Sequence, residues 1–300
     1  RHAACSSSYC VNQLARLMKK LIPFAASYFF SLAAIGQPVP TVGDSNSLQA
    51  YLLQAFAASK APQRASLFHI GIEAQPRGDG YLVTAVLEDY PAFYAGINRG
   101  DIIVNSNDIP FHPIASFNSE ISAQYDLAID RAGNRLNLTV TPVFENLFDS
   151  YRNATASSIQ EFSAGNKVIG YIRLWALSRS TADVISYQAL MEDLSHCDGL
   201  ILDLRSSYGY LDEIYVNSLI PNPSGNDYFG KSVVVIVDSK TSLQGAQLAR
   251  KLRRLDRIVV LGAETDDGLK PELDVPYPFT QTSRGDPQFE TALNRLLGTI

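Results

Sequence analysis

From Leu67 onward, apolar and polar positions alternate in the way of half-buried strands, and the pattern predicts strands at Phe68–Ala74 and Tyr81–Leu87 with Gly78-Asp79-Gly80 as the turn between them. Upstream, Ser47–Ala58 (SLQAYLLQAFAA) has helical apolar spacing that Ala61-Pro62 ends, which places a helical segment within residues 44–66. Pro91 suits the first turn of a short helix and Gly96 its C-terminal cap, and Gly100-Asp101 turns the chain into the apolar strand Ile102–Val104. Beyond residue 160 the pattern changes. Continuous apolar runs at Val168–Leu174, Gly199–Leu204, Ser232–Val237 and Ile258–Leu261 read as buried strands. Helical stretches at Thr181–Leu194, Leu211–Leu219 and Gln244–Arg254 separate them, and an amphipathic helix at Asp286–Leu297 closes the chain. Apolar strands alternating with helices predict a largely parallel sheet covered on both faces.

With 46% hydrophobic and 18% charged residues, the 300-residue chain has material for a core and too little charge for disorder. Its net charge of −5 gives no electrostatic basis for nucleic-acid binding. The three cysteines form no C-x-x-C pair, His2, His69, His112 and His196 are scattered, and no Gly-rich phosphate loop is present, so neither a metal nor a cofactor is expected. Cys197 follows His196, but sequence neighbours point in different directions along most elements. Cys197 is therefore read as a small buried hydrophobe.

The N-terminal region reads as targeting sequence. Met18-Lys19-Lys20 precedes the apolar run Leu21–Ile35, and Ala34-Ile35-Gly36 fits a small-x-small cleavage site, which makes 18–36 a signal peptide with a mature start near Gln37. The run is shorter than the roughly 20 apolar residues of a membrane span, and Pro23 and Ser27 interrupt it. A secreted or periplasmic protein is expected, with membrane contact only if the segment stays as an anchor. Residues 1–17 are read as sequence ahead of the true start, which would remove Cys5 and Cys10 from the mature chain.

Two family resemblances follow from these motifs. Tyr90 to Ile102 (YPAFYAGINRGDI) is similar to the "SPA-x-x-AGL-x-x-GD-x-I" stretch of circularly permuted bacterial PDZ domains, with Tyr90 for Ser and Ile97 for Leu. The likeness covers roughly 67–144. It implies that Phe68-His69-Ile70-Gly71-Ile72 stands where the carboxylate-binding loop and peptide-pairing strand begin, a site that captures protein or peptide C-termini through backbone groups. A PDZ fold serving only as a spacer is the bland alternative.

Ile169-Gly170-Tyr171-Ile172, Gly199–Arg205 (GLILDLR), Gly209, Val233–Asp238, Arg257–Thr265 and Asp286–Leu293 follow one another in the order seen in carboxyl-terminal processing peptidases, or tail-specific proteases. The resemblance implies an α/β core of crotonase- or ClpP-like fold at 160–300, beside a small, mostly β, PDZ domain. Active members use a serine nucleophile and a lysine base. In the matching register, Leu243 stands at the nucleophile position and Gly268 at the lysine position, with Glu272 in place of the following glutamine. Leucine has no lone pair to attack with and glycine cannot take a proton. The neighbouring Ser242 and Lys270 are the only rescue pair, and Ser242 has a competing role as a helix cap. Gly209 matches an oxyanion-type backbone N–H, whereas Tyr210 replaces the next glycine and could narrow the cleft. Asp203 and Arg205 read as a strand-end pair that fixes the loop.

Enzymatic status is therefore open, and three functions compete. The favoured one is a degenerate homologue that binds peptide C-termini. The others are an active serine endopeptidase with a relocated nucleophile, and a structural scaffold.

Overall fold

Apolar strands whose successive side chains face opposite helix layers account for the mostly parallel sheet. The computed structural model describes residues 66–117, 121–178, 180–209, 213–220, 229–279 and 285–300, all inside one unit that spans residues 42–300. The expected stretches 1–17 and 18–36 lie outside the described residues, as does the helical segment 44–66 apart from Ser66, which opens a strand.

Strands β1 (Ser66–His69), β2 (Ile72–Arg77) and β3 (Gly80–Val86) come first, then the one-turn helix α1 (Pro91–Tyr94), β4 (Ile102–Ser106) and β5 (Ile109–Pro110). The hairpin β6 (Tyr125–Arg131) and β7 (Asn134–Val140) and the strand β8 (Val143–Asn146) complete the first half. The antiparallel sheet runs β2-β3-β4-β6-β7, with β5 on β4. Pro76 is tolerated because β2 is an edge strand. Ala132 and Gly133, at φ +51° and +84°, make the tight β6–β7 turn, which requires left-handed backbone at both positions.

Helix α2 (Leu147–Ser157) follows, started by Asn146, whose side chain accepts from the Phe148 amide at 2.9 Å. The second half holds β9 (Gln160–Ala164), β10 (Lys167–Arg173), β11 (Ala176–Leu177), α3 (Thr181–Asp193), β12 (Gly199–Asp203), β13 (Tyr208–Gly209) and α4 (Glu213–Asn217). It ends with β14 (Ser232–Val237), α5 (Leu243–Leu252), β15 (Ile258–Gly262), β16 (Leu273–Asp274) and α6 (Pro287–Leu297). The order β16-β15-β14-β12-β10-β9 is parallel except at β9–β10. Leu200, Leu202, Val233, Val235 and Val237 point to the core beneath α3 and α5, and Ile169, Tyr171, Ile201, Val234 and Ile236 to that beneath α6.

A third apolar cluster joins the halves: Leu87 and Tyr90 pack with Phe148 and Tyr151 of α2 and with Trp175 and Tyr208. One reading needs correction. The single strand expected at Phe68–Ala74 is two, β1 and β2, because the chain turns at Gly71 with φ +77°, and a Cβ there would lie 2.3 Å from Tyr90 Cβ.

Candidate functional site

The carboxyl ends of parallel strands are where open α/β sheets place their ligands. Here those ends carry charge: β10 finishes at Arg173, β12 at Asp203 followed by Arg205, and β14 at Val237 followed by Asp238. Arg173, Arg205 and Asp238 line a cavity of about 270 Å³. The antiparallel half supplies an apolar wall of Ala85, Val86, Phe93 and Ile97 together with Arg99, and Tyr277 and Asp286 close it.

The three arginines are partnered unequally. Arg205 Nε and NH2 clasp the buried Asp203 carboxylate, at 3.0 and 2.5 Å, and NH1 reaches Asp286 at 2.6 Å. Tyr171 donates to Asp203 at 2.9 Å. Burial alone would push the Asp203 carboxyl up, but Arg205 and Arg173 hold it below its usual range. Burial dominates for Asp238 and raises it despite the same two arginines. Arg99 stacks on Tyr277 and Phe279 and donates to the Tyr277 and Pro278 carbonyls, and among the described residues no ion pair joins it to a carboxylate. Arg173 stacks on Trp175, donates from NH2 to the Arg205 carbonyl at 3.3 Å and approaches Glu88 at 4.0 Å, and among the described residues its buried Nε has no hydrogen-bond partner. Leaving such a donor unsatisfied costs roughly 1–3 kcal/mol.

The residues expected to carry peptidase chemistry are placed elsewhere. Ser242 is the N-cap of α5: its hydroxyl accepts from Gly245 N at 3.1 Å, and 3.5 Å separates it from Ser207 Oγ. Lys270 is exposed, and among the described residues only its carbonyl is engaged (by Arg253) and no hydrogen bond joins it to Ser242. Leu243 is half-exposed at the first position of α5. Gly268 adopts φ +81° with open space around it. Glu272 closes on β15 by accepting from Val260 N at 2.7 Å. Gly209 is buried against β11, where a Cβ would meet the Leu177 carbonyl oxygen at 1.9 Å, so close backbone packing already accounts for this glycine. Tyr210 lies outside the described residues.

The loop expected to capture a carboxylate is also occupied from within. His69 is buried, its Nε2 is 3.0 Å from Ser150 Oγ, and its Nδ1 accepts the Gly71 amide at 3.1 Å. Burial drives the imidazole down to about 4, partly opposed by Glu145. Ile70 is buried, Phe68 packs on Phe144, and Ile72 pairs with Val86. The His69 side chain is thus enclosed and partnered and that of Ile70 is core, so peptide capture at Phe68–Ile72 would fall to the backbone of this loop.

Sequence reasoning missed Arg99, Arg173, Tyr277 and Asp286 as site residues. A charged residue closing an apolar strand, as Arg173 does, was the available signal. The separation of His196 from Cys197 is a second correction. Nε2 and Sγ are 3.9 Å apart, because both residues sit in the turn after α3 rather than on a regular element.

No protein-family model and no curated protein matches the chain. Among solved structures, it is similar to the photosystem II D1 C-terminal processing protease at 18% identity, over 77% of this chain and 79% of that one, with a TM-score of 0.47. A candidate S41 protease from Bacteroides fragilis shares 16% identity over 88% and 80% of the chains, with a TM-score of 0.47. The tricorn protease shares 16% over 80% of this chain and 30% of that one, with a TM-score of 0.41.

Proposed function

We propose that this chain is a secreted or periplasmic, catalytically degenerate relative of the carboxyl-terminal processing peptidases that binds the free C-terminus of an extended peptide. The terminal carboxylate is assigned to Arg99 and Arg173, and the apolar last side chain to the wall formed by Val86, Phe93 and Ile97. One observation carries the reading: two guanidinium groups line a cavity at the ends of parallel strands, Arg99 with no ion pair among the described residues and Arg173 with an unpartnered Nε and Glu88 no nearer than 4.0 Å. A cavity of about 270 Å³, just under the roughly 300–1,000 Å³ of small-molecule sites, suits one terminal residue. The capping role of Ser242 and the exposed, unlinked Lys270 weigh against hydrolysis.

The test is calorimetric titration of a peptide ending in an apolar residue into the folded chain and into Arg99→Ala, beside a hydrolysis assay on the same peptide. Saturable binding, weakened at least about tenfold by the substitution as for a buried charge pair, with no cleavage, is expected. Cleavage that Ser242→Ala abolishes would establish the peptidase reading instead. No binding and no cleavage would leave the scaffold reading.

A further inference from the structure

Away from this cavity, a second cluster of chemically distinctive side chains lies beside the middle of β10, next to the turn that leads into β12. Glu161 stands on β9 directly opposite Gly170 of β10. His196 and Cys197 occupy the turn that carries the chain from α3 into β12. Glu161 Oε2 is 3.3 Å from His196 Nε2, His196 Nε2 is 3.9 Å from Cys197 Sγ, and all three ligand atoms lie within 4.8 Å of one another. We propose that Glu161, His196 and Cys197 form a binding site for a thiophilic divalent cation, zinc in the first instance, with solvent as the fourth ligand.

The spacing decides between a chance neighbourhood and a usable site. Tetrahedral zinc with its ordinary bond lengths separates a nitrogen from an oxygen ligand by about 3.3 Å, and a sulfur from a nitrogen by about 3.6 Å. The first separation is met as it stands, the second needs a shift of a few tenths of an ångström, and the third, Glu161 oxygen to Cys197 sulfur, lies within 4.8 Å and closes to about 3.6 Å by rotation of the half-exposed Glu161 side chain. Thiolate, imidazole and carboxylate together suit zinc or cobalt better than the hard cations that prefer all-oxygen sites.

The backbone arranges this meeting. Gly170 has no side chain where Cys197 Sγ sits: a Cβ there would be 3.1 Å from the sulfur. Lys231 Nζ donates to the carbonyls of Ser195, His196 and Cys197, at 3.0, 3.3 and 2.5 Å, which holds the turn and leaves the Glu161 carboxylate to His196. Cys197 is enclosed, whereas His196 and Glu161 are about half exposed. An ion therefore enters from solvent between His196 and Glu161 and meets the sulfur beneath them. On binding, the Cys197 S–H bond breaks, a sulfur–metal bond forms, and the proton leaves to solvent.

Cobalt(II) reports this site directly, because a cysteine thiolate on tetrahedral cobalt gives a near-ultraviolet charge-transfer band and visible ligand-field bands. The titration uses the full chain carrying Cys5→Ser and Cys10→Ser, so that Cys197 is the one thiol present. One equivalent of cobalt is expected to develop both bands, and zinc to displace them. His196→Ala and Glu161→Gln alter exposed positions and leave the core intact. Each is expected to weaken binding by more than about tenfold, as the loss of even a supporting partner does. Cys197→Ser is expected to abolish the charge-transfer band, but its burial makes the two surface variants the deciding ones. No charge-transfer band at excess cobalt, or a band unchanged in both His196→Ala and Glu161→Gln, overturns the proposal.

Discussion

The Tyr151 hydroxyl donates a 2.9 Å hydrogen bond to Glu73 Oε1 in the buried seam between edge strand β2 and helix α2. One residue earlier on the same helix, Ser150 meets His69. The seam thus encloses two titratable groups shifted in opposite directions. Burial pushes the Glu73 carboxyl up from 4.5 to about 7, opposed by its bonds from Tyr151 and Ser206. Burial pushes His69 down from 6.5 to about 4, opposed by Glu145. The stability contributed by protonated Glu73 is complete below pH 4.5 and is lost as pH rises towards 7. That of neutral His69 is complete above pH 6.5 and is lost as pH falls towards 4. Between these limits the two slopes oppose each other.

Glu73→Gln keeps an acceptor for Tyr151 and removes one slope. At pH 8 the variant is expected to be more stable than the parent by up to about 3 kcal/mol, and near pH 4.5 the gain should vanish. Urea unfolding across pH measures it. A difference that stays constant with pH would mean that Glu73 titrates as it does in the unfolded chain.

Arg205 is held by Asp203 and Asp286 at once. Arg205→Met strands a fully buried Asp203 carboxylate and is expected to cost about 3–5 kcal/mol in chemical denaturation. Lys270→Ala, at an exposed side chain, is expected to change stability by less than about 0.5 kcal/mol. Equal effects of the two substitutions would contradict this placement of the charges.

Ser242 is the cap of α5, so Ser242→Ala is expected to lose about 1 kcal/mol and Ser242→Asp to retain most of it. Thermal melts of the three proteins separate a cap from a nucleophile, since aspartate serves the first role and not the second.

Gly209 has φ +114° and no room for a side chain against Leu177. Gly209→Ala is expected to shift the melting temperature down by several degrees or more, corresponding to at least ~1–3 kcal/mol of backbone strain. An alanine variant as stable as the parent would show that β11 and β13 can separate.

The fold was more legible than the site. Runs such as Ser232–Val237 and Gly199–Leu204 announce a doubly covered sheet because apolar residues stand at consecutive positions with no polar alternation, and Asp286-Pro287 announces the start of α6 by its capping chemistry. The linking helix α2 went unread, although Asn146 caps it and Phe148, Tyr151 and Thr155 recur at helical spacing. The cavity depends on tertiary meeting: Arg99 and Tyr277 are 178 residues apart, and no local pattern foretells their contact. His69 shows the opposite failure. Its place in a loop motif suggested exposure, but the pairing of β1 with β8 and the docking of α2 buried it.

The most direct test of the account compares one short peptide with an apolar last residue, prepared as the free acid and as the C-terminal amide, by calorimetric titration into the unmodified chain. The account expects saturable binding of the acid and at least about tenfold weaker binding of the amide, because the amide brings no negative charge to the Arg99 and Arg173 guanidinium groups. Equal affinity for the two forms would contradict recognition of a carboxylate in the arginine-lined cavity.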